Sequence, residues 1–158
     1  MIDTSAPVRT AYYTALNGHV TVTLPAIGDV AAGATVIPVY SHVPDAVVYP
    51  FIYLGNQSDE GGDVETRTKD NKGATEHLIE IKIVSGFLTS EDNASFKSAD
   101  DIANEVLKIV LASTPLTFVG LGNVTTSLES MSYDVDRNDT HLVIEKTIVI
   151  RHLLDQDY

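Results

Sequence analysis

A stretch of alternating residues near the middle of the chain places the strongest constraint on the fold. Within residues 76–85, isoleucines occupy every second position from 79 to 83, and the two positions between them are charged. Because successive side chains of a strand point to opposite faces of a sheet, this pattern predicts a strand with one buried and one solvated face. Such strands are typical of antiparallel sheets, whereas the strands of parallel sheets are covered on both faces. The apolar positions are Ile79, Ile81 and Ile83, and the charged ones are Glu80 and Lys82.

The order of the other periodic segments favours an α+β domain. Helical spacing of apolar residues predicts a short N-terminal helix over Val8 to Leu16 with Ser5 as its cap, and a long helix from Ser98 to Ser113 that begins with a capping box at Ser98. Helices and strands do not alternate regularly, so we expect a mainly antiparallel or mixed β-sheet with one long and one shorter helix packed on one face. The remaining predicted strands are His19–Leu24, Thr35–Tyr40, Tyr49–Leu54, Val124–Tyr133 and His141–Leu153, the last two forming a C-terminal hairpin.

The size of the chain indicates a single domain spanning residues 1–158. Within it, the polar stretch at about residues 56–75 is predicted to be a flexible loop, and residues 134–140 are predicted to be the turn of the C-terminal hairpin. The first of these segments contains an acidic cluster, whose simplest interpretation is a solvated loop.

The charge balance disfavours several kinds of partner. The formal net charge is −12, with 10 basic and 22 acidic residues. Binding to DNA, RNA or an anionic membrane needs clustered lysine and arginine, which this chain lacks. Without cysteine, the chain has no disulfide, thiolate nucleophile or cysteine-bound zinc. No secretory leader or membrane span is evident, and we expect a protein made in a cytoplasm.

No motif in the sequence requires catalysis, a metal or a cofactor. Asp134, Asp136, Asn138 and Glu145 match part of a calcium-loop pattern, but Asp139 stands where that loop needs glycine. A solvated hairpin turn is therefore the preferred interpretation. The five histidines are never spaced as a helical zinc motif, and the glycines at Gly120-Leu121-Gly122 lack the third glycine of a dinucleotide site. We expect no enzyme activity, no metal and no cofactor.

A set of short motifs in a fixed order resembles a known family. The run Val36-Ile37-Pro38-Val39-Tyr40-Ser41-His42-Val43-Pro44 is followed by Tyr49-Pro50-Phe51-Ile52-Tyr53-Leu54-Gly55, and then by Asp63-Val64-Glu65-Thr66-Arg67-Thr68. The alternating strand, the long helix and the C-terminal hairpin come next in order. From Val36 to the C-terminus, the chain resembles the tail-terminator proteins of long-tailed bacteriophages, also called tail-completion or head-tail joining proteins.

This resemblance implies a structural virion protein at the head-tail junction, or neck, assembled in the host cytoplasm. Its copies would close into a homohexameric ring on the tail-tube protein, stop tube polymerisation and join the tail to the head-side connector or stopper protein. DNA would pass through the ring without specific binding, helped by acidic groups that repel its phosphates. The resemblance implies two sets of contact residues: a candidate lumen or interface loop of Asp59, Glu60, Asp63, Glu65, Arg67 and Asp70, and hairpin-turn contacts at Asp136, Arg137, Asn138 and Asp139.

Two alternatives remain open at this stage. The chain could belong to a neighbouring ring as a head-completion or stopper protein, which copurification with portal-side proteins would indicate. It could instead be a small α+β hydrolase or ligand-binding enzyme that uses its scattered histidines and carboxylates, which an accessible apolar pocket with convergent polar groups would favour.

Overall fold

Strands predominate in the computed structural model, which describes residues 4–24, 32–60, 72–88, 92–112, 116–121, 124–137 and 141–157. Two helices and seven strands lie in these ranges. In chain order they are α1 (Ser5–Leu16), β1 (Thr21–Leu24), β2 (Gly33–Val36), β3 (Val39–Tyr40), β4 (Phe51–Glu60), β5 (Lys72–Leu88), α2 (Asp92–Val110), β6 (Val124–Arg137) and β7 (His141–Asp157).

Five of the strands form one mixed sheet in the order β3-β4-β5-β7-β6. β3 runs parallel to β4, and the other three pairs are antiparallel. β1 and β2 form a separate antiparallel pair. The α+β class and the C-terminal hairpin predicted from the sequence are both confirmed.

The hydrophobic core lies between the two helices and one face of the five-stranded sheet. On β5, Ile79, Ile81 and Ile83 are fully buried, and Ile81 lies opposite Ile148 of β7. α2 packs on β5 and β7, while α1 packs on α2, β4 and β3. The predicted alternation is thus confirmed, since Glu80 and Lys82 lie on the opposite face, which no described helix covers. We call this second surface the open face of the sheet.

The predicted helix caps are both wrong. α2 begins at Asp92, so Ser98 lies inside the helix, where it is only 3% exposed. The side chain at this position belongs to the buried stripe with Ala99 and Ile102, and it therefore faces the core. Ser5 is likewise the first helical residue of α1, and Thr4 occupies the cap position without making a capping hydrogen bond.

Strand boundaries also differ from the prediction. The segment Thr35–Tyr40 is divided between β2 and β3, because the Ile37 amide bonds to Val20 while the Pro38 carbonyl accepts from Ile52. The predicted polar loop at about 56–75 is wrong at both ends, since residues 56–60 continue β4 and residues 72–75 begin β5. Residues 61–71 of that prediction lie outside the described residues. The predicted turn at 134–140 is wrong for residues 134–137, which belong to β6, and residues 138–140 lie outside the described residues.

An aromatic cluster on the open face gathers residues from the two motifs around Tyr40 and Tyr49. The ring of Phe51 lies 5.7 Å from that of Tyr49 and 5.9 Å from that of Tyr40, and Tyr53 adjoins it at 6.2 Å. Tyr49 precedes a cis proline and lies over Gly86 of β5. A Cβ atom at Gly86 would come within 2.8 Å of the Tyr49 ring. The close packing of this cluster therefore requires glycine at position 86.

We expect Gly86→Ala to destabilise the protein by about 1 kcal/mol, because its methyl group would displace the Tyr49 ring. Gly33→Ala is the matched control, since a Cβ atom there would meet no heavy atom within 4 Å. Thermal denaturation followed by circular dichroism compares the two, and adding Tyr49→Ala to Gly86→Ala should remove most of the difference. Equal melting temperatures for Gly86→Ala and Gly33→Ala would contradict this packing.

Candidate functional site

A histidine and an aspartate form a hydrogen-bonded pair where α1 meets the sheet. Asp59 of β4 lies directly opposite His77 of β5, and the Nδ1–H of His77 donates to the Asp59 carboxylate. The hydroxyl of Thr4 donates to the same carboxylate oxygen. His77 and Thr4 are fully buried. Asp59, predicted to lie in a mobile loop, is thus a strand residue bonded to the start of α1.

The other ring nitrogen of His77 is also occupied. The amide nitrogen of Gln57 donates to His77 Nε2 at 3.0 Å and to the carbonyl of Ser5 at 2.9 Å. The amide oxygen of Gln57 accepts from Arg9 Nε at 2.8 Å. A general base needs a nitrogen that can reach the reacting proton. His77 therefore has a structural role, since both of its ring nitrogens are held by neighbouring side chains and neither reaches solvent.

Arg9 extends this network to the backbone of β4. Its guanidinium donates to the carbonyls of Leu54 at 2.9 Å and Gly55 at 2.6 Å. These carbonyls lie at the irregularity in the β4–β5 pairing between Leu54 and Gln57. The side chain of Arg9 thus supplies donors at a point where the regular ladder is interrupted, and it fixes α1 against this strand.

A second buried histidine lies next to His77. His152 of β7 donates through Nδ1 to the His77 carbonyl at 3.1 Å, and its Nε2 accepts from the Tyr12 hydroxyl at 2.6 Å. Burial lowers the pKa of His152 to about 4 and raises the pKa of Tyr12. His152 is therefore neutral at pH 7, as its two hydrogen bonds require.

The pKa of Asp59 is lowered although burial acts in the opposite direction. Partial burial alone would raise it, but the hydrogen bonds from Thr4 and His77 outweigh this effect. The carboxylate is thus held in its charged form. In this network each donor described above has an acceptor, and none of the side chains described is left free to act in catalysis.

Ion pairs bind the strands together on the open face of the sheet. Lys82 donates to Glu145 at 2.8 Å, and Arg151 donates to Glu76 at 3.1 Å. Burial and the Glu145 carboxylate raise the pKa of Tyr53, whose hydroxyl also donates to Glu145 at 3.4 Å. Next to the aromatic cluster, the open face is thus polar around these pairs, and the cations Lys82 and Arg151 are both paired.

The predicted contact residues are only partly described. Glu60 is the last residue of β4, and Asp136 and Arg137 are exposed at the end of β6. Asp134 and Asp136 both lie in β6, so the calcium-loop pattern does not form a loop at these positions. Among the described residues, no group of three acidic or histidine side chains is placed to hold a metal ion. The remaining predicted residues lie outside the described residues; they are Asp63, Glu65, Arg67, Asp70, Asn138 and Asp139.

The edge strand β6 carries a row of exposed apolar side chains. Within the described residues β6 pairs only with β7, so its outer edge is unpaired. Leu128, Met131, Tyr133 and Val135 point to the same side of the sheet as the helices, yet each is 39–49% exposed. Tyr133 also contacts Phe96 and Asp100 of α2. We call these four residues the edge row. Exposed apolar side chains on an unpaired edge form a surface suited to contact with another chain.

A small polar cluster neutralises the charge beside the edge row. Lys146 donates to Asp100 of α2 at 2.8 Å, and the hydroxyl of Tyr133 donates to the same carboxylate. The Lys146 ammonium also lies 4.7 Å from the centre of the Tyr133 ring. Although burial opposes it, the hydrogen bond to Asp100 raises the pKa of Lys146, which is therefore charged and paired. Asp100, predicted near a helix N-terminus, acts here as the partner of a largely buried lysine.

No protein-family model matches the chain, and no curated protein matches it. In the described ranges, neither helix has the length and apolar character needed to cross a membrane.

We expect the free energy of unfolding to fall by roughly 3 kcal/mol as the pH is lowered from 6.5 to 4. The pKa of His152 is depressed in the folded state, so the unfolded chain binds a proton at a higher pH than the folded protein does. Acid therefore favours the unfolded chain in this range. The depressed pKa of Asp59 adds a further loss below pH 3.8. Urea denaturation at several pH values measures this slope, and His152→Gln should flatten it between pH 6.5 and 4. An unchanged slope in that variant would contradict the assignment.

Proposed function

We propose that this chain is a structural virion protein of the tail-terminator kind, which forms a ring on the end of a phage tail tube, stops its polymerisation and joins it to the head-side connector. The observation that carries the proposal is the order of short motifs from Val36 to the C-terminal hairpin. The structure supports it by bringing two of these motifs together. Val39 and Tyr40 pair with Ile52 and Tyr53 along β3 and β4.

The edge row offers a surface for self-association. A ring needs each copy to present a contact surface that is not satisfied within the subunit. β6 is 14 residues long, which is unusually long for an unprotected edge strand, and its exposed apolar side chains are concentrated on one side. In a monomer such an edge would be a liability, but in a ring it can be covered by the next copy.

The charge of the chain suits a channel through which DNA moves. Each copy carries a formal charge of −12, and Lys82 and Arg151, open-face cations whose side chains the structure describes, are paired with carboxylates. A ring of such subunits would repel DNA phosphates instead of binding them. This is consistent with passage of a genome and gives no basis for specific recognition of it.

The buried histidines argue against the enzyme alternative. His77 and His152 are fully buried, and each makes hydrogen bonds through both ring nitrogens. Neither can take a proton from a substrate without breaking the contacts that hold α1 on the sheet.

Electron microscopy and native mass spectrometry test this function directly. We expect the full chain, incubated with tail tubes from the same phage, to form six-membered rings at one tube end and to prevent further tube growth. Tubes incubated without the chain provide the control, because they should continue to elongate. Binding to portal-side proteins instead of tubes would assign the chain to the neighbouring stopper ring. A chain that stays monomeric with both would overturn the ring function.

A further inference from the structure

An open apolar groove runs along the outer side of α1. Its volume is about 610 Å³, and it lies between the helix and the segment 116–119. The helix contributes small side chains, including Ala6, Thr10 and Thr14, which leave room for a bulky partner. Val119 on the other wall is 80% exposed. The groove is therefore an accessible apolar surface distinct from the edge row.

Neither surface carries an unpaired charge among the residues that form it. Arg9 is the only charged residue of α1, and it points inward to bond Leu54 and Gly55. Beside the edge row, Asp100 is neutralised by Lys146. Copies of a chain with a charge of −12 repel one another over most approaches. The groove and the edge row match electrostatically because they can meet without bringing like charges together.

The two surfaces are formed by different residues. The groove lies between α1 and the segment 116–119, whereas the edge row lies on β6 between Leu128 and Val135. A contact between the edge row of one copy and the groove of another therefore leaves one unused surface of each kind. Such a head-to-tail contact repeats around a rotation axis and closes when that rotation divides the circle.

We propose that the edge row of each copy seats in the α1 groove of the next copy, so that the second copy of this chain is the occupant of the groove. This inference rests on the proposed ring function and identifies the two surfaces that build the ring. Large side chains such as Leu128 and Met131 enter a groove lined by small ones, as expected for a well-packed contact.

Pairing of two β6 strands with each other is the competing arrangement, and the charges disfavour it. Glu129, Asp134 and Asp136 are exposed on β6. An antiparallel β6–β6 contact would place three carboxylates from each copy along one interface, and like charges that lie opposite each other destabilise a strand pair. It would also form a two-fold dimer that ends with two subunits and leaves both grooves empty.

Two single variants and their mixture test the arrangement. Thr10→Glu places a charge in the groove, and Met131→Glu places one in the edge row. Because both positions are exposed, each variant should keep the circular dichroism spectrum and melting temperature of the original chain. Each variant alone should be monomeric by native mass spectrometry, with or without tail tubes. An equimolar mixture should form a dimer and nothing larger, because only one intact row and one intact groove remain per pair.

Val48→Glu is the matched control, since Val48 is 82% exposed and lies on neither surface. It adds the same charge and should form rings as the original chain does. Rings from Thr10→Glu, or a mixture that stays monomeric, would overturn the row-in-groove contact while the ring function stands. Dimers of Thr10→Glu alone would indicate β6–β6 pairing. Absence of rings from the original chain on tail tubes would reject the proposed function and this contact with it.

Discussion

The pairing of β5 with β7 is the interaction on which the rest of the structure depends. Each strand has 17 residues, and the two pair from Lys72 opposite Asp157 to Leu88 opposite His141. Their isoleucines form one continuous buried surface, against which α2 packs. A shift of one residue in this register would turn that surface to solvent and bury charged side chains. The position of every surface discussed above, including the edge row and the α1 groove, follows from this one register.

The buried polar network fixes α1 at one side of this sheet. Burying His77 and His152 is unfavourable unless their ring nitrogens are bonded, and the network satisfies all four of them. Three residues near the start of α1 take part, namely Thr4, Ser5 and Arg9. The outer side of α1 forms the groove. The hydrogen-bond network that fixes α1 therefore matters for the proposed function, although it contains no free catalytic group. It holds a candidate contact surface in a fixed position.

Local sequence patterns predicted which helices and strands the fold contains. They predicted less well where these elements begin and end, and which residues pack around them. The alternation at Ile79, Ile81 and Ile83 was sufficient to identify β5 and its buried face, because it depends only on the period of a strand. The start of α2 was missed because residues 92–97 are mostly polar and show no apolar stripe, so Ser98 was interpreted as a cap. The partnership of Asp59 with His77 and Thr4 was missed for another reason: it joins residues far apart in the chain, and no spacing in the sequence reports such a contact. For the same reason, the pattern of Met131, Tyr133 and Val135 identified a strand but could not show that it lies at an edge.

The combination of an apolar edge with a strongly acidic chain favours specific over indiscriminate association. An exposed strand edge can in principle pair with any other edge, since backbone groups carry little sequence information. Here the exposed carboxylates Glu129, Asp134 and Asp136 accompany the edge, and each copy repels the next over most relative orientations. Only a partner surface without negative charge can approach the edge row closely, and the α1 groove is such a surface. The same acidity that would keep DNA from adhering to an assembled ring thus also restricts how its subunits can meet.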